Sequence, residues 1–164
     1  MKISHRHDLV CVAYDVEGDD NLYFYAYEKG KILGFLNFGK GQTIKFQNAY
    51  IAHKIIPKIV SIEFLEGKNG IFILLSDELL FLNYKRTPAS MTFMIKIRIK
   101  MWQIPLKLAN SNDKYHYDEE EPLHGCGMQV FEDSVVIVPN KVNIIAVVES
   151  KTAELGVSTC NISH

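Results

Sequence analysis

The sequence predicts an all-β protein built from antiparallel meanders. Three observations carry that reading. The apolar runs are short, about the length of strands, and each is bounded by Gly, Asn, Asp or Pro. Side chains alternate with the period of a pleated strand over 22–28 and 93–101. Three separate segments, 9–38, 59–84 and 128–149, repeat the order strand, polar turn, strand, short turn, strand.

Taken in order, LVCVAYD (Leu9–Asp15) is a first strand, closed by a turn at Gly18-Asp19-Asp20. LYFYAYE (Leu22–Glu28) is the second, with Leu22, Phe24 and Ala26 on one side and Tyr23, Tyr25 and Tyr27 on the other. Lys29-Gly30 turns the chain into KILGFLNF, the third. Gly39–Gln42 is a turn and Thr43–Gln47 a short strand, while 48–57 reads either as a short helix ended by Pro57 or as a connection. The central segment runs IVSIEFL, EGKNG, IFILLSDELLFLNY. Asn69-Gly70 suits the positive φ of a hairpin, and Ser76-Asp77-Glu78 makes a second break.

A loop at 85–90 leads to Phe93–Met101, which predicts one dry face (Phe93, Ile95, Ile97, Ile99, Met101) and one wet face (Lys96, Arg98, Lys100), with Trp102 next in line. Three like charges at that spacing repel unless an acid or anion lies near. Residues 110–122 are a polar loop ending in the acidic run Asp118–Glu121, and 123–127 a turn. Met128–Phe131, Val135–Val138 and Val142–Val148 form the last meander. The expected organisation is a single β domain over 1–149 and a polar tail over 150–164.

Composition narrows the function. Apolar residues make up 48% of 164 residues, enough for a core, and the net charge of −1 by itself predicts neither a nucleic-acid nor a membrane partner. Cys11, Cys126 and Cys160 are odd in number and widely spaced, which argues against a disulfide framework and for a reducing compartment. The N-terminal MKISHRHD lacks the apolar core of a secretory signal, and no apolar run is long enough for a membrane helix. An intracellular protein, cytoplasmic or nuclear, is expected.

The segment 53–84 resembles a blade of the WD-type β-propeller family, and 9–38 and 128–149 resemble it loosely. His53 stands upstream where that family has its Gly-His, with Ala52 in place of the glycine. Val60–Phe64 resembles the strand entering the blade, Ser76-Asp77 lies near the family's structural Asp, and Tyr84 stands where its Trp-Asp ends. The resemblance implies propeller-like sheets and a scaffolding role. At a period of about 40–45 residues the chain holds about four blades at most. That leaves either a partial array completed by another chain, or a two-sheet sandwich or barrel of meanders.

Catalytic patterns are missing from the sequence. His5, His7, His53, His116, His124 and His164 fit no zinc spacing with the cysteines, and no G-x-S-x-G occurs. Cys126, flanked by Gly125 and Gly127, is the only thiol in a suggestive setting, and no activating partner accompanies it in the sequence. No enzyme activity, metal or cofactor is expected. The leading expectation is a non-catalytic protein–protein interaction module, a subunit of a larger assembly. Its contact residues would be the tyrosine strip Tyr23, Tyr25 and Tyr27, and Ile145 on an open edge strand. Leu9–Asp15 and Val142–Val148 are the expected edges. One alternative is a nucleic-acid-binding β domain using Lys96, Arg98, Lys100 and Trp102. Another is a small-ligand barrel with the tyrosines at its mouth.

Overall fold

Runs of β-branched, aromatic and leucine residues cut by polar turns give fourteen strands among the described residues. The structure is a computed structural model and describes residues 1–4, 8–16, 19–38, 43–46, 49–52, 58–65, 67–104, 107, 123–140 and 144–159. Sheet 1 has the order β1 (Lys2–Ser4), β2 (Leu9–Val16), β3 (Asp19–Ala26), β4 (Ile32–Phe38). A hairpin of β5 (Thr43–Phe46) and β6 (Ala49–Ala52) follows, so 49–52 is strand, not helix, while 53–57 lies outside the described residues. Sheet 2 contains β7 (Ile59–Leu65), β8 (Gly70–Leu75), β9 (Glu78–Arg86) and β10 (Met91–Lys100). Sheet 3 contains β11 (Gly125–Phe131), β12 (Ser134–Pro139), β13 (Ile144–Glu149) and β14 (Leu155–Thr159). All pairings are antiparallel between consecutive strands. The described residues thus form three four-stranded meanders and a separate hairpin, where a sandwich has two sheets and a barrel one closed sheet.

Sheet 2 lies in the middle. One of its faces packs on sheet 1 through Phe64, Ile71, Ile73, Leu80 and Leu82 against Leu9, Leu22, Phe24 and Leu36. Its other face packs on sheet 3 through Phe72, Leu74, Leu79 and Phe81 against Val135, Ile137, Ala146 and Val148. Burial on both faces explains why β8 and most of β9 are unbroken apolar runs with no alternation. The first strands β1, β7 and β11 lie alongside one another, and on the sheet 3 side contact concentrates on β11 against β7 and β8. The Ser76-Asp77 turn ties these layers together. The Ser76 carbonyl accepts from the Gly125 amide at 3.2 Å, and the Asp77 carbonyl accepts from the Met101 amide at 2.9 Å. Ion pairs join the sheets at their rims: Lys2 with Glu63 at 2.8 Å, Arg86 with Asp8 at 3.2 Å, and Lys68 with Asp133 at 3.4 Å.

Two glycines answer different needs. Gly30 takes φ +62° in the β3–β4 turn. Gly70 is not a positive-φ turn residue, as the Asn69-Gly70 pair predicts; it begins β8, and a Cβ there would lie 2.6 Å from the Phe81 ring.

Three further expectations are corrected. β14 arises inside the predicted tail, because Leu155 and Val157 alternate and pack against the sheet 2–sheet 3 core. β13 is therefore an interior strand between β12 and β14, and β2 likewise lies inside β1; neither is a free edge. The third correction concerns β10. A bulge between Ile95 and Ile97 leaves Lys96 without a cross-strand partner. Met91, Phe93 and Ile95 consequently face sheet 1, whereas Ile97, Ile99 and Met101 face sheet 3. One inserted residue reverses every following side chain.

Candidate interaction surfaces

Each end sheet has one face in the core and one outward. On sheet 1 the outward set follows from the register: Val10 opposite Tyr25, Val12 opposite Tyr23, and Tyr23 opposite Phe35. Tyr23 stacks on Phe35 at 5.9 Å and tilts against Tyr25 at 6.4 Å. Phe35 is 60% exposed and Ile32 53% exposed, while Tyr23 and Tyr25 are half-buried. Val10, Val12, Tyr23, Tyr25, Ile32 and Phe35, whose side chains are described, are all uncharged. Tyr27 lies just past the end of β3 and is exposed in the turn. The tyrosine alternation read from the sequence is therefore the real division between core and outward face.

On sheet 3 the outward set is Gln129 opposite Val136, Val136 opposite Val147, Val147 opposite Gly156, and Ile145 opposite Ser158. Phe131 and Val138 are exposed on the same face, and Ile145 is half-buried there. Ile145 is thus on the outward face, but on an interior strand and not on the expected open edge. A hollow of about 490 Å³ opens beside Val147 and Gly156, with Lys107, Glu149 and Glu154 at its rim. Gly127 has open space where a Cβ would stand.

The basic strand is not a uniform ladder. The Glu78 carboxylate is fully buried and accepts from Arg98 Nε at 2.8 Å and Lys100 Nζ at 3.0 Å. It is the acid that the cation spacing requires. Lys96, at the bulge, instead joins Lys68 and Lys151 around a cleft of about 330 Å³, and Trp102 is exposed in the turn after β10. Asp133 bridges Lys68 and Lys151, and these contacts, the Lys151 hydrogen bond foremost, hold its carboxyl below the usual range against an opposing effect of desolvation. A larger cleft of about 570 Å³ lies beside Lys68, Asn83, Lys85 and Thr92. Both clefts are open, and lysine, amide and hydroxyl groups share their lining with apolar side chains such as Phe93, Met94, Phe81 and Ile97.

The two described thiols are Cys11, buried, and Cys126, exposed, with Cys126 Sγ 4.0 Å from the His124 carbonyl. Among the described residues no three His, Cys, Asp or Glu side chains gather as a metal site. His5, His7, His53, His116, His164, Cys160 and the acidic run 118–121 lie outside them. No described helix is long and apolar enough to cross a membrane.

Phe35 and the valines Val136, Val138 and Val147 are among the outward residues that sequence reasoning missed. A register shift between Phe24 and Tyr25 puts Leu33 and Leu36, three apart, on the same inner face, so simple alternation misassigns that strand. In β12 and β13 both faces carry aliphatics, so neither face announces itself.

No protein-family model matches the chain, and no curated protein matches it.

Proposed function

We propose that this protein is a non-catalytic protein–protein interaction module, a subunit of a larger assembly held through the outward faces of its two end sheets. The supporting observation is a contrast. Solvated sheet faces normally alternate to polar residues. Here Val10, Val12, Tyr23, Tyr25, Ile32 and Phe35 on sheet 1, and Phe131, Val136, Val138, Ile145 and Val147 on sheet 3, are apolar or aromatic where water would favour charge. Aromatic residues give large contact areas at low entropic cost, as interface cores use them. The propeller-like reading of the meanders accords with this role, since blades of such a ring bury both faces on neighbours.

The test is a photo-reactive amino acid placed at Tyr25 or at Val147 in cells. Cross-links to a protein chain from these positions, and not from the solvated Lys85, support the module. An absence of protein cross-links from both faces sinks it. The nucleic-acid alternative retains Lys96 and Trp102 but has Arg98 and Lys100 committed to Glu78. It predicts steeply salt-dependent binding that is lost when Lys96, Arg98 and Lys100 become Ser.

A further inference from the structure

We infer that two copies of this chain pair head to tail, the aromatic face of sheet 1 in each copy seating on the outward face of sheet 3 in the other. The inference rests on the interaction-module reading and names the partner.

The two end faces differ in a complementary way. Sheet 1 presents protruding rings, with Phe35 and Tyr23 stacked and Tyr25 beside them. Sheet 3 presents mainly β-branched aliphatics with one ring, Phe131, and with gaps: open space at Gly127 and the hollow beside Val147 and Gly156. The lining of that hollow mixes charged groups (Lys107, Glu149, Glu154) that can meet a tyrosine hydroxyl with apolar ones (Val147, Leu155) that can take its ring. Two copies of the sheet 1 face would set rings against rings. The chain already makes such joints twice within itself, where Phe24 meets Phe93 at 4.9 Å between sheets 1 and 2, and Gly125 leaves room for Leu74 between sheets 2 and 3.

Area decides how many joints are needed. Four strands about 4.8 Å apart and about 20 Å long give a footprint of about 400 Å² per face. One joint then covers about 800 Å² over both partners, below the roughly 1,000 Å² of a stable interface, while two joints cover about 1,600 Å², the standard size. A pair joined at both ends is therefore favoured over an open chain of copies, and a heterologous contact that closes on itself forms such a ring. The side-by-side arrangement of β1, β7 and β11 gives the stack a common spine about which to close. Three sheets from each copy make six, within the range of about four to eight four-stranded sheets in closed rings.

The purified chain is tested by sedimentation velocity from 1 to 100 μM. The expected result is a species of twice 18.7 kDa. Phe35→Glu and Val138→Glu sit at exposed positions, so each should leave thermal unfolding of the monomer unchanged and each alone should abolish the pair. A wild-type chain that stays monomeric at 100 μM overturns the inference. So does a pair lost with Phe35→Glu but kept with Val138→Glu, which would mean that sheet 1 meets sheet 1. Should the chain be monomeric while the photo-probe at Tyr25 captures a different protein, self-pairing fails and the interaction module stands. Should neither occur, both fail.

Discussion

Deleting Lys96 should be far more damaging than any substitution of it. The bulge between Ile95 and Ile97 divides β10 into one half serving the sheet 1 core and another serving the sheet 3 core. Without Lys96 the strand pairs with β9 in uniform register, and one half must face the wrong way. If the first half keeps its place, Ile97, Ile99 and Met101, now 4%, 5% and 2% exposed, leave the core. Each such burial is worth about 1.5–3 kcal/mol, so the loss is about 5–9 kcal/mol before Arg98 and Lys100 are turned inward. If the second half keeps its place, Met91, Phe93 and Ile95 are displaced instead, at similar cost. A domain has about 5–15 kcal/mol in total, so the deletion variant should be unfolded or close to it. Lys96→Ala and Lys96→Gly keep the residue count and should fall within about 0.5–1 kcal/mol of wild type. Urea unfolding followed by circular dichroism measures all three. A deletion variant with an unchanged midpoint and slope would refute the claim that the bulge assigns the two faces.

Other outcomes follow from the buried ionisable groups. Glu78→Gln should lower stability by about 2–3 kcal/mol, less than the 3–5 kcal/mol of a wholly buried pair because Arg98 and Lys100 are partly exposed and rehydrate; denaturant titration reads it, and a loss under 0.5 kcal/mol would contradict the pairing. Burial pushes the Cys11 thiol up to about 12, slightly offset by the N-terminal charge, so the folded state holds a proton that the unfolded chain releases above about pH 9. Its contribution is whole below pH 9 and is lost as pH rises toward 12, by about 1.4 kcal/mol per unit. Melts between pH 8 and 10.5 should show that slope, and Cys11→Ala should remove it. Under native conditions a thiol reagent should modify Cys126 promptly and Cys11 only on unfolding. Asp133 runs the opposite way: its lowered pKa contributes stability above the ordinary carboxylate range that is lost as pH falls through the folded value, and Asp133→Asn should flatten that part of the acid limb.

The sequence made the all-β class legible because its punctuation is strong. Gly30, Ser76-Asp77 and Glu132-Asp133 all fall in turns, and Leu22, Phe24 and Ala26 divide from Tyr23 and Tyr25 as a period of two requires. Legibility failed wherever one extra residue changes phase. Phe93, Ile95, Ile97 and Ile99 alternate without a break, and the alternation is blind to a bulge. The partner strand β9 cannot expose the error, because Leu79 and Leu80 both lie in cores on opposite faces and any register looks acceptable. β14 was hidden for another reason: Leu155 and Val157 are only two apolar residues among polar ones, and their value lies in what β13 already buries. Glu78 illustrates the same limit. It reads as a turn acid, and only the pairing of β9 with β10 brings it opposite Lys100.

In the proposed function the middle sheet carries stability and the end sheets carry recognition. Every residue of β8 is buried, so a polar change anywhere along it removes contact with one core or the other. In β3 and β13 only alternate residues are committed to a core, and those between point outward. Sequence at Tyr23, Tyr25, Val136 or Ile145 is therefore not fixed by this chain's own packing in the way that Phe72 or Leu74 is. Charged residues at such positions would keep the fold soluble at little cost to it. Their apolar character instead costs exposed surface in the isolated chain. That cost is offset when another sheet covers them, as the proposed interaction module requires of its end faces.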